Sequence, residues 1–237
     1  MQKKPLCNGS EDRERNTNTS LMHDTEAARF FHRFSKTFDT FYDEQRSPVM
    51  QWFDRHFRSD MFIRFGRTFE VFGDLTGRSL LDIGCGSGVY VVEALRRGAA
   101  GVTAMDPAAN MLQFVRDRLA RESFSEKCTV TEGLFPQVCP TPHDHVIVMG
   151  VMDYVEDPVG FLKALRPLVK VSAAISFPSR HWFRTPVRKV RYALRNCPVY
   201  FYTRNEIECM ARTAGFSSVV INKIPGAGMD YHVWLRP

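Results

Sequence analysis

Between Leu80 and Gly88 the chain reads Leu-Leu-Asp-Ile-Gly-Cys-Gly-Ser-Gly, an apolar run that breaks into glycines at every second position. Glycines are crowded in this way where the backbone must turn tightly through positive φ and let a ligand approach the main chain. A strand that leads into such a turn and out into a helix presents free backbone N–H groups to that ligand. The spacing narrows the choice. A dinucleotide fingerprint reads G-x-G-x-x-G, whereas here the third glycine comes one residue sooner, and no G-K-[ST] follows to hold a phosphate chain. The next β-rich run, Gly101 to Met105, ends in Asp106-Pro107. A carboxylate at the end of the strand beside the glycine turn is placed to accept both hydroxyls of a ribose.

Further along, short β-rich runs alternate with helical stretches, the signature of βαβ units and a parallel sheet. Strands are expected at Ser79 to Ile83, Gly101 to Met105, Cys128 to Glu132, His145 to Gly150 and Val171 to Phe177, with helices at Val89 to Arg97, Ala108 to Arg121 and Pro158 to Leu168. Thr203 with Glu206 forms a capping box for a further helix that Gly215 closes. Ser218 to Asn222 and Met229 to Leu235 are then joined by a Gly/Pro loop too short for a helical crossover, so they pair antiparallel. The expected class is α/β: a Rossmann-like seven-stranded, mostly parallel sheet with a final antiparallel strand, preceded by an N-terminal helical lid.

With 237 residues, 44% of them hydrophobic, the chain has room for one α/β domain and a modest appendage. Residues 1–20 read as a polar mobile tail, 21–76 as the helical lid, and 77–237 as the main domain, with 179–202 as a basic insert on the substrate side. The lid region is rich in phenylalanine, and Phe30, Phe34, Phe38, Phe41 and Tyr42 recur at helical spacing, as do Met61, Phe65, Phe69 and Phe72. These rings either pack helices onto the sheet or cover an apolar substrate, for which Tyr42 is a candidate contact. No apolar run approaches the roughly 18 residues that span a bilayer, and the first twenty residues lack an apolar signal core, so a cytoplasmic location is expected. The six cysteines contain no C-x-x-C pair, which favours structural thiols over a metal site or disulfide framework.

The motif Leu-Leu-Asp-Ile-Gly-Cys-Gly-Ser-Gly, followed by Val-Thr-Ala-Met-Asp-Pro-Ala-Ala-Asn-Met-Leu, resembles the first two motifs of the class I S-adenosylmethionine-dependent methyltransferases, over roughly Gly77 to Pro237. The closing antiparallel strand pair is similar to theirs and unlike that of the dehydrogenases. The resemblance implies S-adenosyl-L-methionine as cofactor, with S-adenosyl-L-homocysteine as product. It places Asp82, Gly84, Cys85, Gly86 and Gly88 around the methionine part, Asp106 on the ribose, and Pro107 and Met111 beside the adenine. Gly133 and Leu134 stand where the family often has Gly-Asp, with the acid on the adenine amino group. Here Leu134 replaces it, and the adenine is left to backbone and apolar contacts. Met149 closes the set.

In many small-molecule members the stretch after the fourth strand carries a polar pair facing cofactor and substrate, and Asp153 and Tyr154 occupy those positions. The N-P-P-Y or D-P-P-Y run of amino-methylating nucleic-acid enzymes is absent. So is the Pro-Cys of the 5-methylcytosine type; Cys139-Pro140 has the reverse order, which makes Cys139 a structural thiol. Methyl transfer from a sulfonium needs alignment and desolvation more than acid–base chemistry. A general base is required only for a poorly ionised hydroxyl acceptor, and Tyr154, Asp153 and His181 are the candidates, the alternative being hydrogen-bonded lining residues. His143 and His145, which precede the fourth strand, fall at the opposite end of the sheet.

From Arg180 to Arg195 the chain carries Arg180, Arg184, Arg188, Lys189, Arg191 and Arg195 with no acid, a charge equal to the +6 of the whole protein. This run is a solvated basic helix, a reader of carboxylate or phosphate through Arg184, Arg188 and Arg191, or a docking surface for anionic membrane or RNA aided by Trp182, Phe183 and Tyr192. The aromatic N-terminal helices, the Ser-Phe-Pro turn and the closing Gly-Met-Asp-Tyr-His-Val resemble methyltransferases acting on ubiquinone precursors and magnesium protoporphyrin. The leading expectation is methylation, on oxygen, of a small, partly apolar, anionic molecule. The alternatives are an RNA methyltransferase, which the missing motifs disfavour, and a methyltransferase-like binding protein without catalysis.

Overall fold

Leu80 and Leu81 are adjacent in sequence and both fully buried, so the strand that holds them needs cover on both faces, as parallel sheets do. The computed structural model describes residues 62–180, 199–224 and 230–237. Seven strands build one sheet: β1 (Ser79–Ile83), β2 (Gly101–Asp106), β3 (Cys128–Glu132), β4 (His143–Val148), β5 (Val169–Phe177), β6 (Ser218–Lys223) and β7 (Tyr231–Arg236). Their order is β3-β2-β1-β4-β5-β7-β6. The first five are parallel, and β7 runs antiparallel to both β5 and β6. This is the expected class, with the antiparallel closure the short Gly/Pro loop implied.

Helices cover both faces. On one face α1 (residues 62–72), α2 (Val89–Arg96) and α3 (Ala109–Arg121) pack through Phe69, Phe72, Val91, Leu95 and Leu112 against Leu80, Ala104, Ile147 and Ala174. On the other, α4 (Pro158–Leu165) and α5 (Arg204–Thr213) set Phe161, Leu162 and Ile207 against Leu81, Ile83, Val146 and Ile175. Asp157 caps α4 by accepting the Gly160 amide at 2.9 Å, with Pro158 in the first turn where its missing N–H costs nothing. Thr203 and Glu206 form the expected reciprocal box at the start of α5.

Several boundaries depart from the sequence reading by one to three residues, two of them with a clear local cause or consequence. The helix expected to reach Leu168 stops at Leu165, because Pro167 has no N–H to continue the ladder and Arg166–Leu168 tightens into a 3₁₀ turn. Strand β4 begins at His143 and not at His145, so both histidines lie inside it. Each is held there: His143 Nε2 is 2.9 Å from Thr103 Oγ1, and His145 Nδ1 is 3.0 Å from Ser172 Oγ. Residues 1–61 and 181–198 fall outside the described residues, and with them the tail, most of the lid and most of the basic insert.

Helix α1 lies across the sheet through an aromatic ridge. Phe65 and Phe69 meet edge to face at 5.1 Å, both contact the Tyr90 ring, and Phe72 lies 4.6 Å from His145. Phe69 is the centre of that ridge and carries the Arg97 guanidinium over its ring at 4.6 Å. Phe69→Ala is expected to lower unfolding free energy by about 3–5 kcal/mol, read as a reduced urea midpoint with unchanged slope.

Candidate active site

Because β1 to β5 run parallel, the loops that follow them collect at one edge of the sheet. Strand order reverses between β1 and β4, the chain leaving β1 toward β2 on one side and returning to β4 on the other. A crevice opens at such a switch point. Into it run residues 84–88 after β1, 107–108 after β2, 133–138 after β3 and 149–157 after β4.

The glycine turn is shaped as its sequence requires. Gly84, Gly86 and Gly88 have φ of 71°, 52° and 78°. A side chain at Gly84 would also run into Val151 Cγ2. The amides of Gly84 and Cys85 both donate to the Met105 carbonyl, at 2.8 and 3.0 Å. Asp106 fixes the rest: its Oδ2 accepts the Gly86 amide and its Oδ1 the Ala108 amide, each at 2.9 Å.

Asp82 lies beneath this turn and is 1% exposed, and its Oδ2 has no hydrogen-bond partner among the described residues. Burial, followed by the charge of Asp106, pushes its carboxyl up to about 8. Asp106 is raised by burial as well, the two backbone amides partly offsetting the rise. Two buried acids thus share one end of the sheet, and no cation among the described residues contributes to either shift. Such a pair is matched by a ligand that brings positive charge. Burial raises the Cys85 thiol well above its usual range, which makes it a packed side chain and not a nucleophile.

The other expected cofactor contacts surround the same edge. Pro107 is half-buried, Met111 is buried in the first turn of α3, and the Gly133 amide donates to the Asp106 carbonyl at 3.1 Å. Leu134 and Met149 are half-buried, with Met149 packed on the cluster that holds Leu80 and Cys85. Cys139 is exposed in the connection before β4, so it is not the packed thiol that a structural reading expects.

The loop after β4 is tied down from α5's side. The Tyr202 hydroxyl donates to the Met152 carbonyl at 3.1 Å, the Tyr200 amide donates to the Asp153 carbonyl at 2.8 Å, and burial pushes the Tyr202 phenol far up. Asp153 is buried and Tyr154 half-buried within that loop. His181, Tyr42, Arg184, Arg188 and Arg191 lie outside the described residues. Sequence reasoning passed over a polar group at this edge formed by Arg64, Thr68, Ser176, Asp230 and His232. Its signal was the four-residue spacing of Arg64, Thr68 and Phe72, hidden beside a more conspicuous aromatic stripe.

Comparison with known proteins points one way. A family model described as a methyltransferase domain matches residues 80–172. A ubiquinone biosynthesis O-methyltransferase of Neisseria meningitidis is 29% identical over 175 residues, covering 68% of this chain and 70% of the relative. Among solved structures, the magnesium protoporphyrin IX methyltransferase of Synechocystis PCC 6803 with bound SAH superposes with a TM-score of 0.73 at 19% identity, over 91% of this chain and all of that one. The 1,6-didemethyltoxoflavin-N1-methyltransferase of Burkholderia thailandensis does so with a TM-score of 0.66 at 16% identity, over 99% and 92%.

The raised carboxyl of Asp82 makes folding pH-dependent. Its native pKa of about 8 exceeds the unfolded value near 3.8, so the native state holds the proton more tightly. The stability that this provides is complete below pH ~4 and is lost as pH rises through about 8. Without added ligand, Asp82→Asn should flatten that decline, so that the melting temperature of the variant exceeds that of wild type by more at pH 8.5 than at pH 5.

Proposed function

From the premise that the chain carries a class I S-adenosylmethionine-dependent methyltransferase domain and uses S-adenosylmethionine as its cofactor, we propose that it methylates a small, partly apolar, anionic molecule on oxygen. The buried pair Asp82 and Asp106 beside a bare glycine turn carries the cofactor side of this reading. S-Adenosylmethionine brings an ammonium, a sulfonium and two ribose hydroxyls, and the unmatched Oδ2 of Asp82 suits the ammonium. Each oxygen of Asp106 already accepts one amide and retains a lone pair for a ribose hydroxyl. Gly84, Cys85, Gly86 and Gly88 would border the methionine part. Pro107, Met111, Gly133, Leu134 and Met149 would border the adenine, where Leu134 offers an apolar contact in place of an acid.

The chemistry supplied at this edge is methyl donation from a cationic sulfur, with S-adenosyl-L-homocysteine as product. The protein's part is alignment and exclusion of water, and positioning of this kind contributes up to about 7–11 kcal/mol. For a hydroxyl acceptor a base must hold the proton, and Asp153, Tyr154 and His181 are the groups proposed for it. Oxygen is favoured by the likeness to an enzyme named as an O-methyltransferase. Tyr42, Arg184, Arg188 and Arg191 are proposed to contact the acceptor. The basic run from Arg180 to Arg195 also suits transient contact with an anionic membrane surface. The described residues on either side of it support its acceptor-side position: Ser179 bridges Tyr202, and Tyr200 bonds Asp153.

Asp106→Ala should weaken S-adenosylmethionine binding more than tenfold by titration calorimetry, about the 1.5–3 kcal/mol expected for hydrogen bonds to a charged group, with the native circular dichroism spectrum retained. With methyl-labelled S-adenosylmethionine and a cell extract, label is expected in the small-molecule or lipid fraction. Label confined to RNA would overturn the acceptor assignment.

A further inference from the structure

The chain enters α1 at the same edge of the sheet at which the cofactor residues collect. Arg64, Thr68 and Phe72 form one stripe along the helix, facing in turn Ser176, His232 and His145. Ser176 and His232 are directly opposed on β5 and β7. Arg64 Nη1 lies 3.5 Å from Ser176 Oγ and 3.8 Å from Asp230 Oδ2, both at the outer limit of such contacts, and its buried Nε has no partner among the described residues. The guanidinium is mostly buried, its side chain 16% exposed. A cation taken so far out of water and so loosely matched is short of acceptors.

Among its described neighbours only Asp230 offers an opposing charge within ion-pair reach, and only at that outer limit. Thr68 Oγ1 donates to the Arg64 carbonyl at 2.8 Å and therefore receives the His232 Nε2 proton at 3.1 Å, which places a proton on Nε2. Burial and the charges of Arg67 and Arg64 hold His232 down to about 4. Among the described residues the charges that act on His232 are thus both guanidiniums. The cluster is also connected to the reacting edge: Ser176 Oγ accepts the Gly150 amide at 2.8 Å, and the next residue, Val151, abuts Gly84 of the glycine turn.

We infer that Arg64 is an acceptor-recognition residue that binds the anionic group of the substrate, a carboxylate or an acid of similar size, in place of its weak contact with Asp230. This rests on the small-molecule reading above and names the side chain that would give it charge selectivity. A planar carboxylate can take two guanidinium N–H groups at once, which the present partners do not. Asp230 then acts as a resident counter-ion that an incoming anion must outcompete.

The test uses the full chain loaded with S-adenosylhomocysteine and two probes of one shape, 3,4-dihydroxybenzoate and its neutral amide. Wild type should bind the carboxylate at least tenfold more tightly than the amide by titration calorimetry. Arg64→Gln should abolish that preference, and Arg64→Lys should keep part of it. Asp230→Asn should widen it, with S-adenosylhomocysteine affinity within twofold throughout. The opposite sign of the Asp230 variant separates recognition from simple loss of packing, and it stands even if Arg64→Gln does not fold. Lack of a preference in wild type, or its persistence in Arg64→Gln, overturns the assignment. Labelled methyl transfer from S-adenosylmethionine into the small-molecule fraction of an extract separates the two levels. Transfer at an unchanged rate by limiting amounts of Arg64→Gln overturns Arg64 alone, whereas no transfer into small molecules by wild type overturns the reading beneath it.

Discussion

A backbone turn with three residues at positive φ does not hold itself, and here one carboxylate holds it. Asp106 takes the amide of Gly86 on one oxygen and that of Ala108 on the other, so the end of β2 fixes the turn after β1 and the start of α3 together. The backbone of the same residue accepts the Gly133 amide and brings in the turn after β3. Three loops from three strands are thereby referenced to one residue. Keeping that carboxylate buried is costly, and the cost is shared with Asp82, whose charge it opposes. Burial raises both carboxyls, so the two acids at this edge disfavour being charged together.

The second determinant is the placement of α1. Its aromatic side packs against Tyr90, the residue next to the start of α2, while Arg64 and Thr68 reach Ser176 on β5 and His232 on β7. One helix therefore spans from the neighbourhood of the glycine turn to the antiparallel corner of the sheet. Its polar residues fall where β5 and β7 are opposed at Ser176 and His232, and its apolar residues fall over the interior. Packing and polar contacts on this helix lie on adjacent stripes, Phe65 and Phe69 on one and Arg64 and Thr68 on the next, so the aromatic periodicity hid the polar one.

The order and direction of the strands were legible in the chain because each rests on local rules: alternation of short apolar runs with helical stretches, a glycine turn, a capping box, a connection too short to cross over. That Asp82, the glycines and Asp106 gather at one edge was legible for the same reason, since they sit at fixed offsets within one βαβ unit. The cluster of Arg64, Ser176, Asp230 and His232 was not. Arg64 and Asp230 are far apart in sequence and meet only because β7 inserts between β5 and β6. Likewise, the role of Tyr202 as the bolt that holds the loop after β4 depends on the Ser179 bridge, a tertiary contact with no local signature.

That bridge has a consequence of its own. Arg180 donates its amide to the Tyr202 carbonyl, and Tyr202 donates its amide to the Pro178 carbonyl, so the chain is stapled shut on both sides of residues 181–198. A stretch whose two ends are already joined adds little to the entropy of closing the fold when it lengthens, shortens or changes composition. The closure of the sheet is therefore little affected by the length of that stretch. A change of length there is buffered by the staple, whereas a change at Ser179 or Tyr202 acts directly on the loop after β4.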